Sequence, residues 1–433
     1  MVKIDNMVLP SCGNRQARHS FPWYILVLIL AFMPVALCAQ IKDLNYYMNV
    51  ALENSPLLKD YQNQMVMNRL DSLILRAVYK PQVNFSSANI YAPKVGRWGY
   101  DPGIIDNGTF NALLSVRQSI IGKGNKKTQL QSYNLDNRVL QNTAKISKQD
   151  LNLAVASQYI AAYSDLQGIK YNEEIRILLN KEEVALKRLM EKAVYKQVDY
   201  LNFFMKLKQH LLLIDQQKAS YENNIALLNY VCGIVDTTAV ELKAPDITLL
   251  PVPEFENTLQ YEQFRLDSLK LKNGDALIDY AYHPKLDAFV DAGFNSTLTY
   301  QGYKNFGASI GLSLIVPLYD GGQRQKQHNK LKTAQLTRKN YLDFSHKQYR
   351  QQLAQFYQQL EQTDRIIKQA QEVMQYTQTL IEANGKLLQN GEVSVTDYIL
   401  AVNSFLDASH AVIQSTTNRM QIINQINYWN YEK

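Results

Sequence analysis

The sequence predicts a fold in two parts: a transmembrane β-barrel pooled from the strands of several chains, and very long α-helical hairpins that continue it. Three observations carry this reading. Two stretches, Gly103 to Ala244 and Leu318 to Lys433, contain no proline. Gly124 and Asp199 stand 75 positions apart, as do Gly322 and Asp397, so one offset of 198 relates two copies of a unit. That offset also lays Ala156 on Ala354, Tyr159 on Tyr357, Ile169 and Lys170 on Ile367 and Lys368, Leu189 on Leu387 and Tyr200 on Tyr398. Finally, period-two alternation precedes each helical copy. A repeat without insertions over this length points to helices whose length is mechanically fixed, as in a strut or tube.

Along the chain, Phe21 to Leu37 form an apolar run behind Lys3, Arg15 and Arg18, ending at Leu37-Cys38-Ala39. This reads as a signal peptide over residues 1–39, with Met7 a second possible start and an N-terminal anchor the alternative. Residues 40–230 form the first repeat, 231–260 the link between repeats, and 261–433 the second repeat. Without residues 1–39 the chain has 43 basic and 38 acidic side chains, interspersed along polar helix faces. Such a balance gives no reason to expect a nucleic-acid partner. Cys232 is the one cysteine beyond residue 39, which excludes an intrachain disulfide framework in the mature chain.

Each repeat opens with strands. Leu286, Ala288, Val290, Ala292 and Phe294 alternate with Asp287, Phe289, Asp291, Gly293 and Asn295, and Ile310, Leu312 and Leu314 alternate with Ser309, Gly311 and Ser313. One apolar face over about 9 to 11 residues suits a tilted strand crossing a bilayer, with Leu286, Ala288, Val290, Ala292, Phe294, Ile310, Leu312 and Leu314 facing lipid. A weaker pair lies at Val83 to Tyr91 and Asn111 to Ser119. Four strands cannot close a barrel, so either several chains pool them or they form a small soluble sheet.

The helices follow. Asn125 to Lys192 and Gln323 to Asn390 are nearly free of helix breakers and would each extend ~100 Å. Tyr349, Leu353, Phe356, Leu360, Thr363, Ile367, Ala370, Met374, Thr377 and Ile381 alternate spacings of four and three, a heptad seam. The return helices are expected to carry seams at Leu207, Leu211, Ile214, Lys218, Tyr221, Ile225, Leu228 and Cys232, and at Ile399, Val402, Leu406, Ser409, Ile413, Thr416, Met420 and Ile423. Polar seam members suit the wall of a water-filled tube, although a soluble bundle also accepts some. Between the repeats, Gly233, Pro245, Pro251 and Pro253 break the pattern, and the segment is long enough to form a belt.

These residues resemble the TolC-like outer-membrane efflux proteins. The resemblance rests on the strand-to-helix junction Val316-Pro317-Leu318-Tyr319-Asp320-Gly321-Gly322-Gln323-Arg324, with Gly124 its counterpart in the first copy. It also rests on Ala51-Leu52-Glu53-Asn54-Ser55-Pro56, on Tyr79-Lys80-Pro81-Gln82 and Tyr282-His283-Pro284-Lys285, and on the turn Gly391-Glu392-Val393-Ser394-Val395-Thr396-Asp397. It covers the mature chain in order. The resemblance implies a homotrimer with a twelve-stranded outer-membrane barrel continuous with a periplasmic helical tunnel. It further implies a gate at Asp397, with Asp199 its first-copy counterpart. The missing catalytic motifs give no expectation of an enzyme. The hairpin tips Ala193, Val194, Tyr195, Gly391, Glu392 and Val393, as the breaks between the long helices, are expected to touch a periplasmic adaptor. An inner-membrane transporter would supply energy through that adaptor. The family's second gate aspartate falls on Leu400 and its gate-locking arginine on Val393, with Lys196 a candidate substitute. Ala193 replaces the turn glycine of the first copy.

Other chemistry has no signature. The six histidines are scattered without metal-ligand spacing, and no P-loop, dinucleotide fingerprint or nucleophile elbow occurs, so no cofactor or metal is expected. A structural or adhesive coiled-coil envelope protein is the alternative, and the strands ahead of each helix are the feature it leaves unused. The alternative for Asp397 is a helix cap, with Tyr398 the first turned residue, and the two roles can coexist.

Overall fold

The computed structural model describes residues 42–433 except 121, 239, 298–301 and 431–433, so the expected signal peptide and Tyr300 lie outside the described residues. Helix α1 (Leu44–Asn54) is capped by Asp43, whose carboxylate accepts the Tyr46 N–H at 2.8 Å. Ser55 and Pro56 then end α1 and start α2 (Pro56–Val78) in two residues: the Ser55 hydroxyl accepts the Leu58 N–H, and proline occupies the first turn, where its missing N–H costs nothing.

Pro81 forbids further helix, and β1 (Gln82–Ser87) and β2 (Ile90–Tyr91) begin the sheet. The single strand expected over Val83 to Tyr91 is thus broken. Ala88 and Asn89 interrupt it, with the Asn89 side-chain oxygen Oδ1 accepting the Asn111 N–H at 3.2 Å. Strand β3 (Gly108–Ser119) leads into α3 (Lys123–Glu191), and the chain returns through α4 (Gln197–Cys232). The second repeat runs α5 (Leu259–Ala281), β4 (Lys285–Thr297), β5 (Phe306–Ile315), α6 (Gln323–Asn390) and α7 (Val395–Asn427). The two long helices have 69 and 68 residues, ~100 Å each.

The strands form one antiparallel sheet in the order β1-β3-β4-β5, with β2 beside β3. The helices next to the strands follow the same order, α2-α3-α5-α6, because each strand is covalently continuous with one of them. Away from the sheet the order becomes α4-α3-α7-α6. The seam expected on α6 is buried or half-buried at every position. On α4, Leu207, Ile214, Tyr221, Ile225, Leu228 and Cys232 are buried, Phe203 and His210 join them, and Lys218 is exposed.

On α7 the buried sector is broader than the expected line, of which Val402, Ser409 and Ile423 are buried and Met420 is half-buried. It takes in Val395, Tyr398, Val402, Phe405, Ser409 and Val412, while Ile399, Leu406 and Ile413 are half-buried and Thr416 is exposed. The reason is that α7 packs between α6 and α3, so its buried sector spans two partners rather than one.

The segment after Cys232 forms a strap. Tyr159 donates to the carbonyls of Lys243 at 2.7 Å and Lys42 at 3.2 Å, and Tyr221 donates to Val240 at 2.5 Å. At its far end Asn427 donates to Thr248 and accepts from the Leu250 N–H, while Tyr349 donates to the Pro253 carbonyl and packs edge-on against Trp429. The strap thereby ties α3 and α4 to the end of α7.

Candidate functional site

Cross-strand partners in an antiparallel sheet share a face. The register pairs Phe85 with Leu114, Val290 with both Val116 and Ile310, Ala288 with Leu312 and Leu286 with Leu314. All eight side chains assigned to lipid therefore lie on one face, joined by Val83, Phe85, Phe110, Leu114, Val116 and Phe306. The opposite face carries Asn84, Asn111, Ser115, Asp287, Asp291, Ser309 and Ser313. Phe289 is the aromatic on that polar face. Its ring lies where a side chain on Gly311 would sit, 2.4 Å from the Cβ position, with Arg117 6.0 Å from the ring centre. A side chain at position 311 would have to displace that ring. Among the described residues, strands β1 and β5 each leave one edge unpaired.

At the strand-to-helix junction of the second copy, Pro317 lies past the end of β5, and Gly321 and Gly322 take φ of 65° and 80°, the left-handed region glycine tolerates. Asp320 accepts the N–H of Gly322 at 2.8 Å and of Arg324 at 2.7 Å, satisfying the start of α6. In the first copy the positive-φ residue at the helix start is Gly122, with φ of 143°, and not Gly124. Gly124 lies inside α3, where a Cβ would meet the Tyr280 ring at 2.7 Å. The repeat keeps the glycine and changes its reason.

The second-copy junction also holds a charged network. Arg324 contacts Asp279 at 2.6 Å, and His328 lies 2.6 Å from Asp275 and 3.1 Å from Asp279. The hydrogen bond to Asp275, then the neighbouring charges, hold the His328 pKa above its ordinary value. A raised folded-state pKa contributes stability that is full below about pH 6.5, the unfolded value, and is lost as pH rises through the folded value. Between about pH 6 and pH 9 the thermal midpoint should fall less in His328→Gln than in wild type. Parallel pH profiles for the two proteins would show that the network contributes nothing.

The hairpin tips pack on each other. Gly391 ends α6 at φ 77°, and Ala193, its counterpart after α3, takes the same left-handed conformation at φ 63° despite its side chain. A Cβ on Gly391 would lie 2.7 Å from Val194. The Tyr195 hydroxyl donates to the carbonyls of Leu388 at 3.0 Å and Val393 at 2.7 Å, so one tip caps the other. Val194 and Glu392 are exposed, while Tyr195 and Val393 are half-buried.

Asp199 and Asp397 occupy the third position of α4 and α7. Helix α7 begins at Val395 and its cap is Ser394, whose hydroxyl accepts the Asp397 N–H at 3.1 Å and donates to the Asp397 carboxylate at 2.6 Å. The cap is therefore Ser394, and Tyr398 is not the first turned residue. Asp199 instead accepts the Lys196 N–H at 3.2 Å, and among the described residues the Lys196 side chain forms no ion pair. Sequence reasoning missed Glu182. It is 2% exposed, and both its oxygens accept from Gln389 at 3.0 and 3.1 Å. Burial raises the pKa of the neighbouring Tyr398, whose hydroxyl has no partner among the described residues.

No family model matches this chain, and no curated protein does. Solved structures do. The outer membrane protein VceC from Vibrio cholerae is 12% identical over 89% of this chain and 95% of its own, with a TM-score of 0.71. CusC, from work on transmembrane channel formation, is 11% identical over 89% and 91%, at 0.75. The open state of the Neisseria gonorrhoeae MtrE outer membrane channel is 12% identical over 89% and 88%, at 0.70. The chain has the fold of TolC-like outer-membrane channels.

Proposed function

We propose that this protein is a passive export duct of the outer membrane. Three chains pool their strands into a twelve-stranded barrel in outer-membrane lipid, and their hairpins form a periplasmic tunnel that docks a periplasmic adaptor and, through it, an inner-membrane transporter. The observation that carries this is the coincidence of open edges. The sheet is unpaired at β1 and β5, and the adjoining helix layer ends at α2 and α6, the helices continuous with those strands. Strands β1 and β5 run in opposite directions, so β5 of one chain can pair with β1 of the next and the ring stays antiparallel.

Exposed apolar side chains on those edges agree with such a ring. Val66, Leu70, Leu73 and Ile74 line α2, and Ile366, Val373, Tyr376, Leu380 and Leu387 form a second heptad line on α6, separate from the one that faces α7. On α4, Leu201, Met205 and Leu212 are likewise exposed. Detergent-extracted outer membranes should yield a trimer that migrates differently before and after heating and conducts in planar bilayers. A monomer with unchanged migration and no conductance would instead favour the structural or adhesive coiled coil.

Asp397, repeated three times around one axis, would attract cations at the tunnel's narrow end. Because Ser394 caps α7, Asp397→Asn leaves the helix start in place and removes only charge. Cation preference and block by multivalent cations should both fall in single-channel recordings. Unchanged recordings would move the selectivity filter elsewhere.

The tips are the proposed adaptor surface. Gly391→Leu forces a side chain into the left-handed region and onto Val194, so export should be lost while heat-modifiable trimers persist. Photocrosslinkers at Glu392 should capture the adaptor where those at mid-helix Gln358 do not. The reverse pattern would remove the tips from the docking surface.

A further inference from the structure

The two copies treat the start of their long helices in opposite ways. In the second copy, three carboxylates surround the basic first turns of α6: Asp320 caps the helix, Asp279 pairs with Arg324, and Asp275 with His328. Helices α2 and α5 both have 23 residues, and laying one on the other puts Arg76 where Asp279 stands and Ser72 where Asp275 stands. The offset of 198 puts Gly122 at Asp320 and Lys126 at Arg324. The ion pair of one copy thus becomes a like-charged pair in the other.

Lys123 and Lys127 add to it. Arg76, Lys123, Lys126 and Lys127 line a cleft of ≈ 410 Å³ at the foot of the sheet, between the end of α2 and the start of α3. Among the described residues none of the four forms an ion pair, and Lys126 is held 5.4 Å over the Tyr79 ring. Neither long helix has an acidic side chain in its first turn or a side-chain hydrogen bond from its cap residue, but α6 has the Asp320 carboxylate just ahead of it, where the first copy has Gly122. Lys123, Lys126 and Lys127 at the positive end of a 69-residue helix repel one another, the helix dipole and Arg76, which lies in the last turn of α2. A neighbouring chain would not relieve this. In the proposed ring the start of α6 comes next to α2, and from Gln323 to Leu342 it carries six Lys and Arg and no carboxylate.

The geometry points to a phosphate-binding site in this cleft, taking either a lipid headgroup or a phosphate-bearing solute. The amides at the start of α3 and the four cations provide the donors such an anion needs. The lipid source rests on the barrel reading, which sets the foot of the sheet at headgroup level; the solute source does not.

The test uses the full-length protein in detergent and Arg76→Asp, which rebuilds the second copy's ion pair with Lys126 and so preserves folding. Ligand retention is followed by native mass spectrometry and thermal shift, in micelles doped with phosphatidylglycerol, in micelles doped with diacylglycerol, and with inorganic phosphate in undoped micelles. Wild type should bind phosphatidylglycerol, inorganic phosphate or both, and not diacylglycerol, with affinity falling about tenfold or more in Arg76→Asp. Phosphatidylglycerol alone assigns a headgroup, and inorganic phosphate alone or with it assigns a site for phosphate in general. Binding of neither, or binding unchanged in Arg76→Asp, overturns the site. Conductance of the same preparations reads the duct separately: a conducting protein that binds neither probe loses the site and keeps the pore.

Discussion

Val290→Arg should destabilise the proposed barrel by about 2 to 4 kcal/mol, whereas Asp291→Arg, one residue along the same strand, should cost little. Val290 lies at the middle of β4 with Val116 and Ile310 beside it, so a guanidinium there would enter the apolar band at its centre. Asp291 lies on the other face between Ser115 and Ser309, and an arginine there would project into the polar side. Folding titrations into lipid vesicles, or the midpoint of heat-modified migration, would measure both. Equal costs would mean that the two faces do not see different solvents, and the sheet would not be a barrel wall.

That contrast was legible in the sequence because a strand shows its two faces at every second residue. The long helices were legible for a similar reason: sixty-eight residues without a proline leave few alternatives. The expected lines on α6 and α7 both came through where those two helices face each other, with Thr416 the one exposed position. What the heptad line left out on α7 is a second buried stripe, Tyr398, Phe405 and Val412, because that helix packs on α3 as well as α6 and one heptad line describes one partner.

The junction and the tips were harder to read. Alignment by motif put a glycine at position 124, but the backbone needs the left-handed residue at 122, a matter of two residues that a pattern of glycines cannot decide. At the first tip, Ala193 adopts the conformation of the glycine it replaces, so a departure from the motif conceals an unchanged turn. Ser394 took the capping role because a hydroxyl three residues before Asp397 reaches its N–H, and the pair Ser394/Asp397 could have been found by that spacing. Glu182 had no signal. One glutamate in a helix rich in Lys and Glu looks like a solvated charge until the second hairpin closes over it.

Gln389→Leu should therefore loosen the joint between the two hairpins, at a cost of about 3 kcal/mol, because it leaves the Glu182 carboxylate buried with no donor. Gln389 is the side chain that donates to both carboxylate oxygens, across the contact between α3 and α6. The neighbouring Tyr398 hydroxyl is unpartnered but is fixed in the packed face of α7 with Phe203 against it. Glu182→Gln, which keeps an amide that can pair with Gln389, should cost less. Glu182→Leu together with Gln389→Leu removes both the charge and its donor and should recover most of the loss, since the site then becomes apolar like the Leu179, Leu186 and Leu388 around it. Hydrogen exchange along the last turns of α3 and α6 would follow the joint directly, and single-channel conductance would report whether its loosening widens the tunnel end. If the double variant is as labile as Gln389→Leu, the two side chains are not coupled, and the buried carboxylate is stabilised by something other than the amide that faces it.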